Sequence, residues 1–406
     1  MLLRTTLSLT ASKFLVAVMP IVMLPLITEY LTEAEFSKYS LSLSGLALLL
    51  PLICLNVQTG QRVRVSQGAN NTTQNELSVL IMSISTLITL AILYLVPDSF
   101  IEIFNTNELT IIVLGAFATG IITSVETFYV LERRPFKLAG MIIGSQTTIW
   151  FGAYLILLND PLWWAKIAPL IVLGSLYFSR IMLIDRYRKN VIKTSYAQGK
   201  ELLKIGLNAV PLSFFNIALL HVDKVLVTFI FDVNQIFIYM ALSSVVAILS
   251  FLLQGSSVGF EYIYYQQHAK QEISKNILLL CCFLSFYIFI AILFYIFHEK
   301  IIRFMISKEI MGNVGDIVLF LVVASVSRAS LILANPAIII WGKGAMLAAI
   351  QAVVFFVFLF LGIQFGGEIS VVWYAKLYSQ SMILVLTATL FFVAIVGAKK
   401  YANSGS

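Results

Sequence analysis

Residues 77–96 read LSVLIMSISTLITLAILYLV, a run without one charged side chain. An α-helix needs about 20 mostly apolar residues to cross the ~30 Å hydrocarbon layer of a bilayer, and this run supplies them. The same kind of run returns two hundred residues later, where NILLLCCFLSFYIFIAILFYIF occupies 276–297. Within the pair, Ala91-Ile92-Leu93-Tyr94 is matched by Ala291-Ile292-Leu293-Phe294. Working outward, comparable blocks occupy 7–28, 38–57, 77–96, 109–130, 138–158, 162–184, 205–230, 235–256, 276–297, 314–335, 337–362 and 369–396. They lack the alternation of barrel strands, and unpaired backbone is costly in lipid, so they read as helices. With 60% hydrophobic and 12% charged residues, the chain of 406 has too little polar surface for a soluble protein. The expectation is an all-α integral membrane protein with twelve transmembrane helices.

The charges test this ladder independently, because lysine and arginine collect in cytoplasmic loops. With the N-terminus inside, seventeen of the 27 basic residues fall in inner loops, from Arg4, Arg62 and Arg64 to Lys399 and Lys400. Four fall outside: Lys38, Lys300, Arg303 and Lys308. The acids are biased the other way, from Glu29, Glu33 and Glu35 to Glu368. Both termini are therefore expected in the cytoplasm. The loop 298–313 is mildly basic and fits the rule less well. The net charge of +7 follows from this asymmetry rather than from a nucleic-acid-binding face. Cys54, Cys281 and Cys282 lie in or beside apolar blocks and make neither a disulfide framework nor a metal site. The first block, with Pro20 and Pro25, reads as a retained helix rather than a cleaved signal.

The offset of 200 extends beyond the opening pair. Tyr39 meets Tyr239, Ser44 meets Ser244, Ala47 meets Ala247 and Leu49 meets Leu249. Further on it drifts to 209, where Leu138-Ala139 meets Leu347-Ala348. Six blocks precede the basic stretch 185–204 and six follow it. An even number of crossings keeps the halves in one orientation, so the repeat is parallel, about an axis along the membrane normal. In transporters of this design the substrate path lies between the halves. The expected organisation is an N-terminal six-helix lobe over 1–184, a cytoplasmic linker over 185–204 that is also placed to touch anionic lipid heads, and a C-terminal six-helix lobe over 205–406 with a short cytoplasmic tail.

An enzyme needs a concentrated polar site, and none is evident. His221, His268 and His298 have no partner at metal-ligand spacing. No phosphate-cradling glycine loop or nucleophile elbow occurs, so no enzyme, cofactor or metal is expected. The informative residues are the charges inside the blocks, each costly in lipid. Six are basic: Lys13, Lys166, Arg180, Lys224, Arg328 and Lys376. Two are acidic: Glu126 and Asp223. Lys166, Arg180 and Lys376 lie near helix ends, where long side chains snorkel to the headgroups. Lys13 shares an arc of ~80° with Thr6, Thr10, Ala17 and Pro20, a polar stripe running into a proline. Asn208, Asn216 and Asp223 share a similar arc of ~80°, and Lys224 points ~100° away from Asp223. Arg328 sits deepest; it is either a cavity cation or the ion-pair partner of Glu126. Glu126 and Asp223 are the candidates for ion coupling or structural pairing. Gly60-Gln61-Arg62-Val63-Arg64 places two cations at the inner mouth after the second block. The candidate substrate-binding cations are thus Lys13, Arg62, Lys224 and Arg328, suited to an anion such as a diphosphate.

Pro211-Leu212, Asp223-Lys224 and then Tyr239 resemble the opening of the second half of Wzx-type polysaccharide flippases, of the multidrug/oligosaccharidyl-lipid/polysaccharide (MOP) superfamily. The first half is similar in Pro25-Leu26, Leu31-Thr32-Glu33-Ala34-Glu35-Phe36 and the polar segment with Gly60 and Arg62. The glycine common after the aromatic of the first outer loop is Ser37 here, and a proline expected near Phe260-Glu261-Tyr262 is missing. The resemblance implies a MATE-like arrangement of two six-helix bundles. It also implies translocation of an undecaprenyl-diphosphate-linked oligosaccharide, of O-antigen or capsule type, across the bacterial inner membrane, coupled to an ion gradient. The lipid-linked glycan, membrane lipids and the glycan polymerase of the same pathway are the implied partners. Trp150, Trp163 and Trp164 then serve either sugar contact or the interfacial belt. Three other readings compete: a multidrug or cation antiporter of the same fold, which favours acids in its cavity; a membrane-embedded glycan polymerase, which needs a large outer loop; and a membrane scaffold, which needs no buried cations.

Overall fold

The computed structural model describes residues 19–20, 22–95, 104–132, 134–160, 162–185, 196–269, 273–306, 314–340, 344–365 and 370–404. The described chain is helical throughout. Its elements are α1 (22–30), α2 (Glu33–Cys54), α3 (Val57–Ser66), α4 (Asn71–Leu95), α5 (Thr106–Leu131), α6 (Pro135–Asn159), α7 (Ile167–Ser179, prolonged by a π-helical turn over Arg180–Asp185), α8 (Tyr196–Ile230), α9 (Val233–Ala269), α10 (Ile273–Ile296), α11 (His298–Met305), α12 (Val314–Ile340), α13 (Gly344–Phe365) and α14 (Val371–Ser404). Nine helices among the described residues are long and apolar enough to cross a membrane, and α10 with α11, bent by 68° at their junction, meets that requirement only as a pair. Most of the first block, and Lys13 with it, lies outside the described residues.

The helices begin where side chains can satisfy the free N–H groups of a first turn. Thr32 and Glu35 form a reciprocal pair at the start of α2: the Thr32 N–H donates to Glu35 Oε2 (2.9 Å) and the Glu35 N–H to Thr32 Oγ1 (3.3 Å). The motif Leu31-Thr32-Glu33-Ala34-Glu35-Phe36 is thus a helix start, with Phe36 completely buried. Asn105 and Glu108 make the same box for α5. Asn70, Asp232 and Ser370 cap α4, α9 and α14.

Compactness divides the chain into two units, 38–221 and 1–37 with 222–406; α8 contributes residues to both. In the first unit α4 packs on α5, α5 on α7, and α6 on α7. In the second α10 packs on α12, α12 on α14, and α13 on α14. These are the same pairings at corresponding positions of the two halves. Gly174 of α7 lets the α5 backbone approach closely, since a Cβ there would lie 2.5 Å from that of Ala118.

Several boundaries differ from those read in the sequence. The second block ends at Cys54, because Leu55 and Asn56 take left-handed conformations (φ 45° and 51°) before α3 begins. The sixth becomes regular helix only at Ile167. The seventh starts earlier, so residues 196–204, read as linker, are helical. The eighth runs on to Ala269. The break expected at Asn335-Pro336 falls beyond Ile340, since a proline removes one backbone hydrogen bond and a membrane helix tolerates that loss. The stretch 298–313, read in the sequence as an outer loop, begins with α11, bent 68° from α10, with Ile302 and Met305 buried and Arg303 and Phe304 exposed.

Candidate functional site

Asp223 lies in the last third of α8 with 1% of its surface exposed. Its carboxylate Oδ2 accepts a hydrogen bond from the Tyr239 hydroxyl of α9 at 2.7 Å. Its backbone carbonyl accepts one from the Tyr374 hydroxyl of α14 at 3.0 Å. Oδ1, buried, has no hydrogen-bond partner. One lone-pair face of a buried carboxylate is thus left open, a costly arrangement that structural carboxylates avoid.

Two cations share this site. Lys224 follows Asp223 on α8, and Arg328 projects from α12; both are half-buried, and the charges of all three act on one another. Consecutive helix residues do not face each other, and no Asp223–Lys224 ion pair forms. Arg328 Nε, like Asp223 Oδ1, is buried without a partner. The walls are aromatic. Tyr239 and Tyr374 pack edge-to-face with ring centroids 5.8 Å apart, and Phe358 of α13 contacts both Tyr374 and Tyr378 at 5.7 Å. Tyr239, Tyr374 and Phe358 are completely buried. This casing excludes water and keeps the local dielectric low, so each charge acts strongly on its neighbours and on any ion that enters. Gln351 on the Phe358 face of α13 and Thr389 on the Tyr378 face of α14 add two more buried side-chain oxygens without partners.

Of the charges singled out in the sequence, the structure groups Asp223, Lys224 and Arg328, and it adds the tyrosines, which the sequence did not single out. Tyr239 was noted only as a landmark. Tyr374 and Tyr378 carried a usable signal, two phenols one turn apart on α14, and were absorbed into an apolar block. The remaining candidates are elsewhere. Glu126 is half-buried on α5 and Arg62 is exposed on α3, both in the 38–221 unit, while Lys13 lies outside the described residues. Lys376 and Arg180 are exposed, and Arg180 Nη2 donates to the Tyr129 hydroxyl at 3.4 Å. Trp150 and Trp163 are buried, neither an open sugar platform nor an exposed belt. Lys166 sits 4.1 Å from the Trp150 ring centre, and Lys38 sits 5.4 Å from that of Trp163 while pairing with Glu108. Cation–π attraction gains when both partners leave water.

The motif after the second block resolves into separate tasks. Gly60 brings α3 onto α8, since a Cβ there would lie 2.6 Å from the Leu202 carbonyl oxygen. Gln61 donates to Asn71 Oδ1 at 3.0 Å, and Arg64 Nη1 pairs with Glu201 at 2.7 Å. Among the described residues no three His, Cys, Asp or Glu side chains gather as a metal site.

No protein-family model and no curated protein sequence matches the chain. Its fold matches several solved structures. An inward-facing multidrug resistance MATE family transporter of the MOP superfamily is 13% identical, with a TM-score of 0.64 over 95% of this chain and 99% of that one. The lipid II flippase MurJ, in an inward closed conformation, is 13% identical, with a TM-score of 0.69 over 95% and 87%. A MOP superfamily transporter from Pyrococcus furiosus, described as having a binding pocket of reversed polarity that suggests a different function, is 12% identical, with a TM-score of 0.63 over 96% and 95%. The chain has the fold of MOP superfamily transporters.

Proposed function

We propose that this protein is a flippase that moves a lipid-linked oligosaccharide, carried on undecaprenyl diphosphate, across the bacterial inner membrane by alternating access between lobes 1–184 and 205–406. The observation that carries this reading is the polarity of the buried site: two cations, Lys224 and Arg328, around one carboxylate, Asp223. A cationic interior attracts diphosphate and repels the organic cations of a multidrug exporter. The fold supports the reading through MurJ, a lipid II flippase. The Pyrococcus protein illustrates that pocket polarity separates functions within one fold. In this scheme Arg328 supplies charge-assisted hydrogen bonds to phosphate, and Asp223, with Oδ1 open, is the group that answers a coupling proton or cation. The substrate's glycan is of O-antigen or capsule type, and the polymerase of the same pathway is the consumer of the product.

A second reading, a MATE-like cation antiporter, is favoured by one observation, the open buried oxygen of Asp223. Arg328→Ala separates the two. In a strain that depends on this protein for its surface glycan, the flippase reading expects Arg328→Ala to abolish export at normal membrane abundance. Arg328→Lys retains part of it, because a point charge still attracts diphosphate without bidentate geometry. The antiporter reading expects cation efflux to survive Arg328→Ala and to be lost in Asp223→Asn. Full glycan export by Arg328→Ala at normal abundance defeats the flippase mechanism.

A further inference from the structure

A cavity of about 290 Å³ opens beside the turn between α3 and α4, away from the site of Asp223. It is walled by Arg64, Gln67, Gly68, Asn70, Thr73 and Gln198, the last from the first turn of α8. All belong to the 38–221 unit. Its volume is at the lower end of small-ligand pockets, about 300 Å³, and its wall is polar where such pockets are mostly apolar. Arg64 is the one charged side chain among the described residues that line it. Its guanidinium is only partly engaged: Nη1 pairs with Glu201, and Nε has no acceptor. Gln198 Oε1 is likewise buried and without a donor. Arg64 Nε and Gln198 Oε1 are each costly to leave unanswered, but both are closed to water in this conformation, so a ligand in the cavity reaches them only when these side chains turn toward it. Gly68, at φ +95°, makes the turn, and the space beside it is open. Asn70 caps α4 here, so the positive end of that helix adds to the charge of Arg64. By the distribution of lysine and arginine, this turn is on the cytoplasmic side.

We propose that this cavity binds a phosphate group that carries a hydroxyl, as in a phosphoglycerol headgroup. The phosphate oxygens accept from Arg64, and the hydroxyl donates to Gln198 Oε1 once that side chain turns toward the cavity. The chemistry is available from a membrane lipid or from a soluble phosphate, and the cavity is too small for an oligosaccharide. A bound phosphate bridges the α3–α4 turn to the start of α8.

The test uses the full-length protein in lipid-free detergent micelles. Binding of inorganic phosphate, glycerol 3-phosphate and dihexanoyl-phosphatidylglycerol is measured by calorimetry. Wild type is expected to bind the phosphoglycerol probes. Tighter binding of the short-chain lipid than of glycerol 3-phosphate assigns a lipid as the source; equal binding assigns a soluble phosphate. Arg64→Gln is expected to weaken binding at least about tenfold, the scale of one charge-assisted contact. Glu201→Gln loses the same ion pair but leaves Arg64 wholly free, and is expected to strengthen binding several-fold. The opposite signs separate ligand binding from folding. Absence of binding to wild type, or unchanged affinity in Arg64→Gln, overturns the proposal.

Discussion

The two units bury their polar groups in different ways. In the 38–221 unit the helices α3, α4 and α5 are tied mainly by amide and hydroxyl side chains, although Gln61 Oε1 and Gln74 Oε1 there have no partner. Gln61 donates to Asn71, Asn71 donates to the Phe128 carbonyl (3.1 Å) and to Glu132 Oε1 (3.3 Å), and Ser124 donates to Asn75 Oδ1 (2.8 Å). Such bonds tie α3, α4 and α5 together at one end of these helices. In the unit that contains 222–406 the interior is charged: Asp223, Lys224 and Arg328 lie among tyrosines, with Asp223 Oδ1 and Arg328 Nε unanswered. Charges in a low-dielectric interior are a poor way to gain stability, because desolvation offsets most of their attraction. Amide and hydroxyl bonds of the kind that tie α3, α4 and α5 supply cohesion without gathering three charges at one point. The charged interior is where function is to be sought.

The largest expected effect comes from removing the shared carboxylate. Asp223→Ala leaves Lys224 and Arg328 without their counter-charge and the Tyr239 hydroxyl without its acceptor, and should destabilise the protein by about 3–5 kcal/mol. Asp223→Asn keeps an oxygen for Tyr239 and should stay folded while losing export. Unfolding midpoints in detergent, beside surface-glycan assays, check both. An Asp223→Ala protein as stable as wild type would break the contrast, since the charges would then be indifferent to one another.

Next comes the amide network. Asn71→Ala removes one acceptor and two donated bonds, leaving the buried Gln61 amide without a partner, while the Phe128 carbonyl keeps the Glu132 N–H and the Glu132 carboxylate keeps Arg134. A loss of about 2–3 kcal/mol is expected from the unpaired amide and the lost bonds. Export per folded molecule should be unchanged. If it falls with stability intact, the amide network is part of the transport machinery and the distinction between the units fails.

Much of this architecture was written in the sequence because lipid leaves the backbone few choices. An apolar run such as 77–96 must be a helix in a membrane, and nine of the described helices are long and apolar enough to cross one. Boundaries were harder for a physical reason. Asn335-Pro336 is a strong stop signal in water, yet α12 passes through it, because the bilayer makes unwinding worse than one missing hydrogen bond. The short amphipathic α11 has too few residues for a hydropathy window to separate it from a loop. At the site, cost in lipid singled out Asp223, Lys224 and Arg328 as isolated charges. Tyr374 and Tyr378 stayed hidden because a phenol is apolar in bulk and polar at one atom, so a hydropathy reading takes them as lipid-compatible. Only the packing of α14 against α12 and α13, set by contacts distant in sequence, turns two aromatics into the wall of a charged site.

The smallest expected effect is also the most discriminating. Tyr239 and Tyr374 both donate to Asp223, but to different atoms: Tyr239 to the carboxylate, Tyr374 to the backbone carbonyl. Phenylalanine at either position keeps the ring and its packing and removes one hydroxyl. Tyr239→Phe strips a charge-assisted bond, so a loss of about 2 kcal/mol is expected, together with altered export because the carboxylate loses the phenol that donates to Oδ2. Tyr374→Phe strips a neutral bond from the helix backbone, where about 1 kcal/mol is expected and export per folded molecule should hold. If the charged interior serves function through Asp223 itself, the two hydroxyls must separate in the transport assay while both ring networks stay intact. Equal transport defects at matched abundance would mean that the aromatic casing as a whole, rather than the carboxylate it encloses, is what the site depends on.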